Sequence, residues 1–304
     1  MPLLTSLRKL SRDDEAHFVE LARHFFQRFF DNEFVATGSE SRLTVISIVS
    51  LLAVPPFFYT MHLIAIYGYI GTNYPALYPV TCLVEQCRYV FFAMVVVGFI
   101  AVLEWDALLP DRKDYANLMP LPLKARTIFA AKLTALGLFA VLFILGANGI
   151  PALLYPFVEA VCKPGPRVTL LGFCRMTGAH GCAVFGGSIF VFLFFIAMRG
   201  LLTALLSYRW FRRVSLCVQI VSMMGLLLLF FSMPAISLLL PHWERTGSYK
   251  LYLIPPIWFL GLYQNLLGSR SPLFQSLAHL AIEALAIVIV ISGLAYFLSY
   301  KRQT

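Results

Sequence analysis

Apolar residues gather along this chain into six long blocks, at residues 43–66, 84–103, 128–154, 182–206, 214–240 and 273–298. A block of about 20 apolar residues crosses the hydrocarbon of a bilayer as one helix. The runs are continuous and lack the period-two alternation of a membrane barrel. A helix also pairs every backbone N–H and C=O within itself, which lipid demands. The pattern predicts an all-α polytopic membrane protein with about six transmembrane helices, in a single transmembrane domain over residues 1–304.

Between residues 17 and 34 the pattern changes. Apolar pairs recur at Phe18/Val19, Leu21/Ala22, Phe25/Phe26 and Phe29/Phe30, with Glu20, Arg23, His24, Gln27, Arg28 and Asp31 between them. That is a helical period with one aromatic face, too interrupted to span. It predicts an amphipathic helix in the membrane interface, Phe residues in lipid and Arg residues toward headgroups. Pro55-Pro56 in the first block predicts a kink. Tyr67, Tyr69, Tyr74 and Tyr78 after it read as an interfacial aromatic belt. The outer loop at 241–272 carries a second short element, Pro255–Gly268, opening on Pro255-Pro256 and holding Trp258, Phe259 and Tyr263. At 1.5 Å per residue it reaches only about 21 Å, short of a ~30 Å core, so it is expected to lie in the interface.

Composition agrees: 60% of the residues are hydrophobic and 13% charged, with mean hydropathy +0.79. These values exclude a soluble globular domain, a disordered chain and a disulfide scaffold. The net charge of +9 reads as the bias that orients membrane proteins rather than as a nucleic-acid footprint. With a cytoplasmic N-terminus, 17 Lys and Arg fall inside and 7 outside, so both termini are expected in the cytoplasm. Residues 1–42 are polar and of mixed charge, so the first span is expected to act as the insertion signal. Six cysteines are too few and too dispersed for a metal site. Cys82 and Cys87 are placed in the first outer loop, and Cys162 and Cys174 flank the second, where an oxidising compartment permits a bridge. Cys182 and Cys217 read as small apolar fillers within spans.

Polar residues inside spans are functional candidates by default. Glu283 lies deep in the sixth span with His279 one turn earlier on the same face. The pair reads as a helix–helix hydrogen bond inside the bundle or as a proton- or substrate-handling site. Asn148 and Gln219 read as interhelical contacts, and Arg199 as a side chain snorkelling to the cytoplasmic edge. Catalytic and metal motifs are missing: the six His form no HExxH pair, and Gly-x-Ser-x-Gly is absent. No Gly-Lys dipeptide occurs, which rules out a GxxxxGK[ST] phosphate loop. Catalytic, cofactor-binding and metal residues are therefore expected to number none.

The loop at 104–127 carries the strongest signal. Pro110-Asp111 opens a short helix with Asp111 as N-cap, and Pro120 and Pro122 end it. A new helix then starts near Arg126. Charged and apolar residues share the short element, which suits docking on a partner. The run WDALLPDRKD, followed by LMPLPLKARTIFAAKL, resembles the inner loop of bacterial ABC transporter permeases of the drug- and polysaccharide-exporter class. IPPIWFLGLYQNLLG at 254–268 resembles their outer PP.WF.GLY segment, and FFDNEF at 29–34 matches the end of their interfacial helix in position.

The resemblance implies a permease subunit in a bacterial plasma membrane, paired with a second copy or homologous half. A separate cytoplasmic ATPase, carrying ATP and Mg, would drive it. It implies coupling to that ATPase through Asp111, Arg112, Asp114, Leu118, Leu121, Pro122 and Arg126, and through Phe29, Phe30 and Asp31. Members of the class continue past a YLLSYRR-like segment, whereas this sequence stops at Thr304, so a half-length scaffold without transport is the alternative. A lipid-modifying enzyme using Glu283/His279 or Glu104/Asp106 as an acid–base pair is the further one. The 17-to-7 charge division makes topology testable. Reporter fusions near Gly165 and Thr246 should both read as outside, and inside signals at both would overturn the six-span arrangement.

Overall fold

The structure, a computed structural model, describes residues 17–29, 41–109 and 125–301. Eight helices occur among them. They are α1 (17–28), α2 (Ser41–Asn73), α3 (Tyr78–Leu103), α4 (Ala125–Cys162), α5 (Leu170–Leu205), α6 (Tyr208–Thr246), α7 (Pro255–Leu266) and α8 (Pro272–Lys301). The described residues contain no strand. Helices α2 to α6 and α8 are each long and apolar enough to cross a membrane, and each apolar block falls within one of them, the fourth overrunning α5 by one residue. The chain is an all-α polytopic membrane protein.

The helices outrun the apolar blocks. α5 has 36 residues, about 54 Å at 1.5 Å per residue, against a hydrocarbon core of ~30 Å. Its extra turns hold His180 and Arg175, which are polar and still helical. The ends are defined chemically. Thr169 caps α5 by accepting from the Gly172 N–H at 3.2 Å. Gly247, at φ +61°, stops α6 in a left-handed turn closed by Ser248 N–H donating to the Trp243 carbonyl at 3.0 Å. α2 runs unbroken through Pro55 and Pro56.

Helices α3 and α5 form the buried centre. α4 packs on α5 and carries α2, α6 packs on α3, and α8 packs on α5. α7 is short, as expected, but it is a plug rather than a surface helix. It wedges among α3, α5 and α8 and buries Ile257, Phe259, Leu260 and Tyr263. The apolar residues of this segment go to protein because three helices leave a gap that only a short element fills. α1 is corrected in the same direction. Leu21, Ala22, Phe25 and Phe29 are buried, Phe29 stacks on Phe139 at 4.5 Å, and the Lys132 ammonium lies 5.6 Å over the Phe25 ring. Part of the aromatic face thus binds α4 and not lipid. Phe30 and Asp31 lie outside the described residues.

Two glycines permit the closest approaches. A Cβ on Gly200 would sit 2.1 Å from the Cβ of Ala295, and one on Gly261 would sit 2.4 Å from the Cβ of Leu277. Small residues let membrane helices pack backbone to backbone, which supplies association where lipid removes the hydrophobic drive. Gly200→Ala should therefore force α5 from α8 and cost about 1–3 kcal/mol. Gly225→Ala, with open space around its Cβ, should be neutral or slightly stabilising. Thermal unfolding in detergent checks this, and equal midpoints for both variants would refute the close packing.

Candidate functional site

At one end of the bundle the connections α2–α3, α4–α5 and α6–α7–α8 converge around a cavity of about 650 Å³. Its polar lining comes from Gln86 of α3, Glu159 of α4, Lys163, Arg175 of α5, Glu244 of α6 and Gln264 of α7. Glu159 is only 7% exposed. Its Oε1 accepts from Gln86 Nε2 at 3.1 Å, and Gln86 Oε1 accepts from Gln264 Nε2 at 2.5 Å. Both amides therefore donate in the direction of the carboxylate. Glu159 Oε2 is buried without a hydrogen-bond partner. Tyr78 OH donates to the Glu159 carbonyl at 2.5 Å, which fixes the last turn of α4 against α3. Arg175 Nε donates to the Leu266 carbonyl at 2.8 Å. Its guanidinium lies where a Cβ on Gly268 (φ +87°) would come within 2.5 Å of Nη2, so that turn requires glycine.

Beneath the cavity lies an aromatic box. Tyr155, one turn before Glu159, shares a hydrogen bond with Tyr67 OH at 3.0 Å. His180 is completely buried and its ring centroid lies 5.0 Å from Tyr155, 5.4 Å from Tyr263 and 5.5 Å from Tyr89. Neither imidazole nitrogen has a hydrogen-bond partner, nor does the Tyr263 hydroxyl. Beside it, Glu85 of α3 accepts from Tyr59 OH and from Arg88 Nη1 at 2.6 Å. Arg88 Nε donates to Ser237 Oγ of α6 at 3.1 Å, and Tyr89 and Thr60 share a hydroxyl hydrogen bond at 2.5 Å.

Several expectations are redrawn by this arrangement. Cys82 and Cys87 are not in a loop but buried in α3, because α3 starts at Tyr78. Tyr67 and Tyr78 are core residues, and only Tyr69 and Tyr74 of the expected belt are exposed. All six cysteines are free thiols, so Cys162 and Cys174 form no bridge, and Cys182 and Cys217 face outward from their helices. Asn148 is buried as expected, donating to Ser188 Oγ of α5 at 3.1 Å. Gln219 donates to the Val102 carbonyl of α3 at 3.0 Å. His279 and Glu283 are exposed on the outer face of α8, so they make no bond inside the bundle and are not part of the cavity.

Of the expected coupling residues, Phe29 docks on α4, and Arg126 stands in the first turn of that helix, exposed. Asp111, Arg112, Asp114, Leu118, Leu121 and Pro122 lie outside the described residues. The segment leading into that loop is anchored at the opposite end of the bundle. Trp105, Leu108 and Leu109 are buried, and Trp105 Nε1 donates to Ser215 Oγ of α6 at 2.8 Å. Arg199 does not snorkel: it is buried, donates from Nη1 to the Trp105 carbonyl, and lies 3.7 Å from Asp106. An unsatisfied carbonyl at a helix end and a nearby carboxylate hold the guanidinium better than lipid can.

No family model, curated protein or solved structure matches the chain. Glu85, Arg88, Glu159 and His180 escaped the sequence reading because each stands at the polar margin of an apolar block. Arg88 is one of the seven Lys and Arg that the charge division places outside, and Glu159 lies past residue 154, where the third apolar block ends.

Glu104, just past α3, offers a test of burial at the opposite end. Burial pushes its carboxyl up from 4.5 to about 7. The folded chain thus keeps a proton that the unfolded chain has released between about pH 4.5 and about 7. Its contribution is full below that window and is lost as pH rises through it. Thermal midpoints should fall across the window in wild type and fall less in Glu104→Gln. Identical pH profiles would contradict the burial of this group.

Proposed function

We propose that the chain is the membrane-spanning permease subunit of an ATP-driven exporter, energised by a separate cytoplasmic ATPase that binds ATP and Mg. The resemblance of WDALLPDRKD, LMPLPLKARTIFAAKL and IPPIWFLGLYQNLLG to exporter permeases motivates the reading. The observation that supports it most is the anchoring of Trp105. Its carbonyl binds Arg199 of α5, its indole binds Ser215 of α6, and Val102 one turn earlier accepts from Gln219 of α6. A force applied to the loop at 104–127 would reach α3, α5 and α6 together. Transmission of that kind is what a coupling loop needs to convert ATP binding on a partner into tilting of a bundle.

In this reading both termini are cytoplasmic, the membrane is a bacterial plasma membrane, and a second six-helix unit completes the translocation path. His279 and Glu283 favour such a second unit. They are exposed at mid-span on α8, where a charged group costs about 2.5–3.5 kcal/mol in lipid. A second unit packed on this face of α8 would take both side chains out of lipid.

The loop itself gives the decisive test. A docking helix takes most of its affinity from a few buried anchors, while charges orient it. Leu121→Asp would bury an unpaired carboxylate at the contact. It should abolish co-purification of the ATPase while the detergent-solubilised chain stays monodisperse. Retention of the ATPase at wild-type yield, or absence of any ATPase from the wild type, would remove the support for this function.

A further inference from the structure

α8 carries ionisable groups where the rest of the chain offers them nothing. Its span runs from Pro272 to Leu298, 27 residues, and Glu283 is the twelfth of them, about 3 Å in depth from the middle. Headgroups then lie about 15 Å away, too far for so short a side chain to reach as lysine and arginine do. Glu283 and His279 are exposed, and neither has a hydrogen bond or ion pair with a described residue. Glu283 is the one carboxylate exposed within a candidate span among the described residues. His62 of α2 is also exposed near mid-span, but it lies close enough to Glu85 of its own chain to act on its charge.

The residues in line with this pair differ from those on either side. His279, Glu283, Ala286, Val290, Gly293 and Phe297 recur at intervals of four and three, and all six are exposed. Four of the six are polar or small. The exposed residues beside the line are bulky, Ile282 and Ile289 along one flank and Ile287 and Leu294 along the other. Two ridges thus bound a trough whose floor falls at Ala286 and Gly293. A Cβ on Gly293 would meet nothing within 4 Å, so the chain's own packing does not fill that trough. The exposed line of α6, by contrast, is Leu216, Ile220, Leu227 and Phe231, a surface made for lipid. Spacing of this kind, close to 3.5 residues, suits a left-handed pair of helices.

We infer that α8 is the contact between two copies of this chain, packed against its own image along a two-fold axis normal to the membrane. Copies of one chain insert with the same topology, and a closed pair of them is isologous. The two α8 helices therefore run parallel, and each residue on the line faces its own counterpart, as core positions do in a parallel two-stranded coil. Ala286 and Gly293 meet small residues there, so the backbones approach closely where lipid supplies no hydrophobic drive. Glu283 meets a second Glu283 near the mid-plane. A protonated carboxyl donates one O–H and still accepts, so the two carboxyls bond to each other with lipid excluded. A foreign helix would have to offer a matching group at the same depth, and the image does so by symmetry. The inference rests on the paired-unit part of the export reading and on no ATPase.

The test uses the full chain, reconstituted without an ATPase into phosphatidylcholine liposomes over a range of protein-to-lipid ratios, with copies counted by fluorophore bleaching. Wild type should pair. Glu283→Gln, whose amide donates and accepts, should pair as wild type does. Glu283→Leu should dissociate about threefold to tenfold more readily. Gly293→Leu fills the floor between the ridges and should weaken pairing by about tenfold or more. With open space at that position, the thermal midpoint of the single copy should not fall, and this variant decides the matter if Glu283→Leu does not fold. Oxidation in liposomes should join chains carrying Ala286→Cys above the background of the six native thiols. It should not join chains carrying Phe58→Cys, at an exposed position on α2. A single copy at every ratio, joining through Phe58→Cys in place of Ala286→Cys, or pairing unmoved by both leucine variants overturns the inference. ATPase co-purification is read separately, so failure of the pair and failure of the export reading are distinct results.

Discussion

A carboxylate drawn into a membrane helix must be met there by donors or by a counter-charge, and this bundle meets two of them through a single stretch of α3. Glu85, Gln86, Arg88 and Tyr89 fall within five consecutive residues. On a helix, neighbours in sequence point in different directions, so these four reach five separate helices. Glu85 and Arg88 engage Tyr59 of α2 and Ser237 of α6. Gln86 joins Glu159 of α4 to Gln264 of α7, and Tyr89 holds Thr60 of α2 and leans on His180 of α5. The polar requirements of one segment thus specify which helices surround it. Apolar packing alone, in which one lipid-soluble surface resembles another, specifies far less.

Reading the sequence recovered the helical class and all six spans, because about 20 apolar residues in a row have few other uses. The short element at 255–268 was also recovered from its proline start and its length. The candidate site was not, and for a physical reason. Hydropathy treats the polar edge of a span as its end, so Arg88 entered the topological charge count, Glu159 and His180 fell outside the apolar blocks, and Glu85, inside the second block, was passed over. Their polarity marked them as solvated, yet Glu85 and Arg88 are paired within the protein and His180 is buried with neither ring nitrogen bonded. The inverse error befell Glu283, which the apolar run around it made look interior. Only the packing of α8 on α5 and α7 reveals which of its faces is left over. An isolated sequence carries the period of a helix but not the identity of its neighbours.

The two ends of the bundle use polar groups differently. At the cavity end they are carboxylates and amides with one acceptor left open. At the other end they are closures: Trp105, Arg199, Ser215 and Gln219 finish hydrogen bonds that the end of α3 would otherwise leave unmade. Between them, Asn148, Ser188 and the Ala93 carbonyl form a small crossing of α4, α5 and α3. All three levels involve α3, whose 26 residues extend about 39 Å. A rod pinned at its top, middle and foot carries displacement along its length and does not absorb it by bending. Events at either end of the molecule are therefore mechanically shared.

The glycine contacts of α8 carry a consequence for its outward face. Leu277 is gripped against Gly261 and Ala295 against Gly200, two points separated by about 27 Å along the helix. One such contact would act as a pivot, about which a cylinder can still roll. Two of them, near opposite ends, act as a keyway: rotation by one residue would drive Leu294 or Tyr296 into Gly200 and pull Leu277 off Gly261. α8 therefore has no low-energy way to turn Glu283 toward the interior. The azimuth of that carboxylate is as fixed as its depth, and whatever meets it must come from beyond the chain's own six spans.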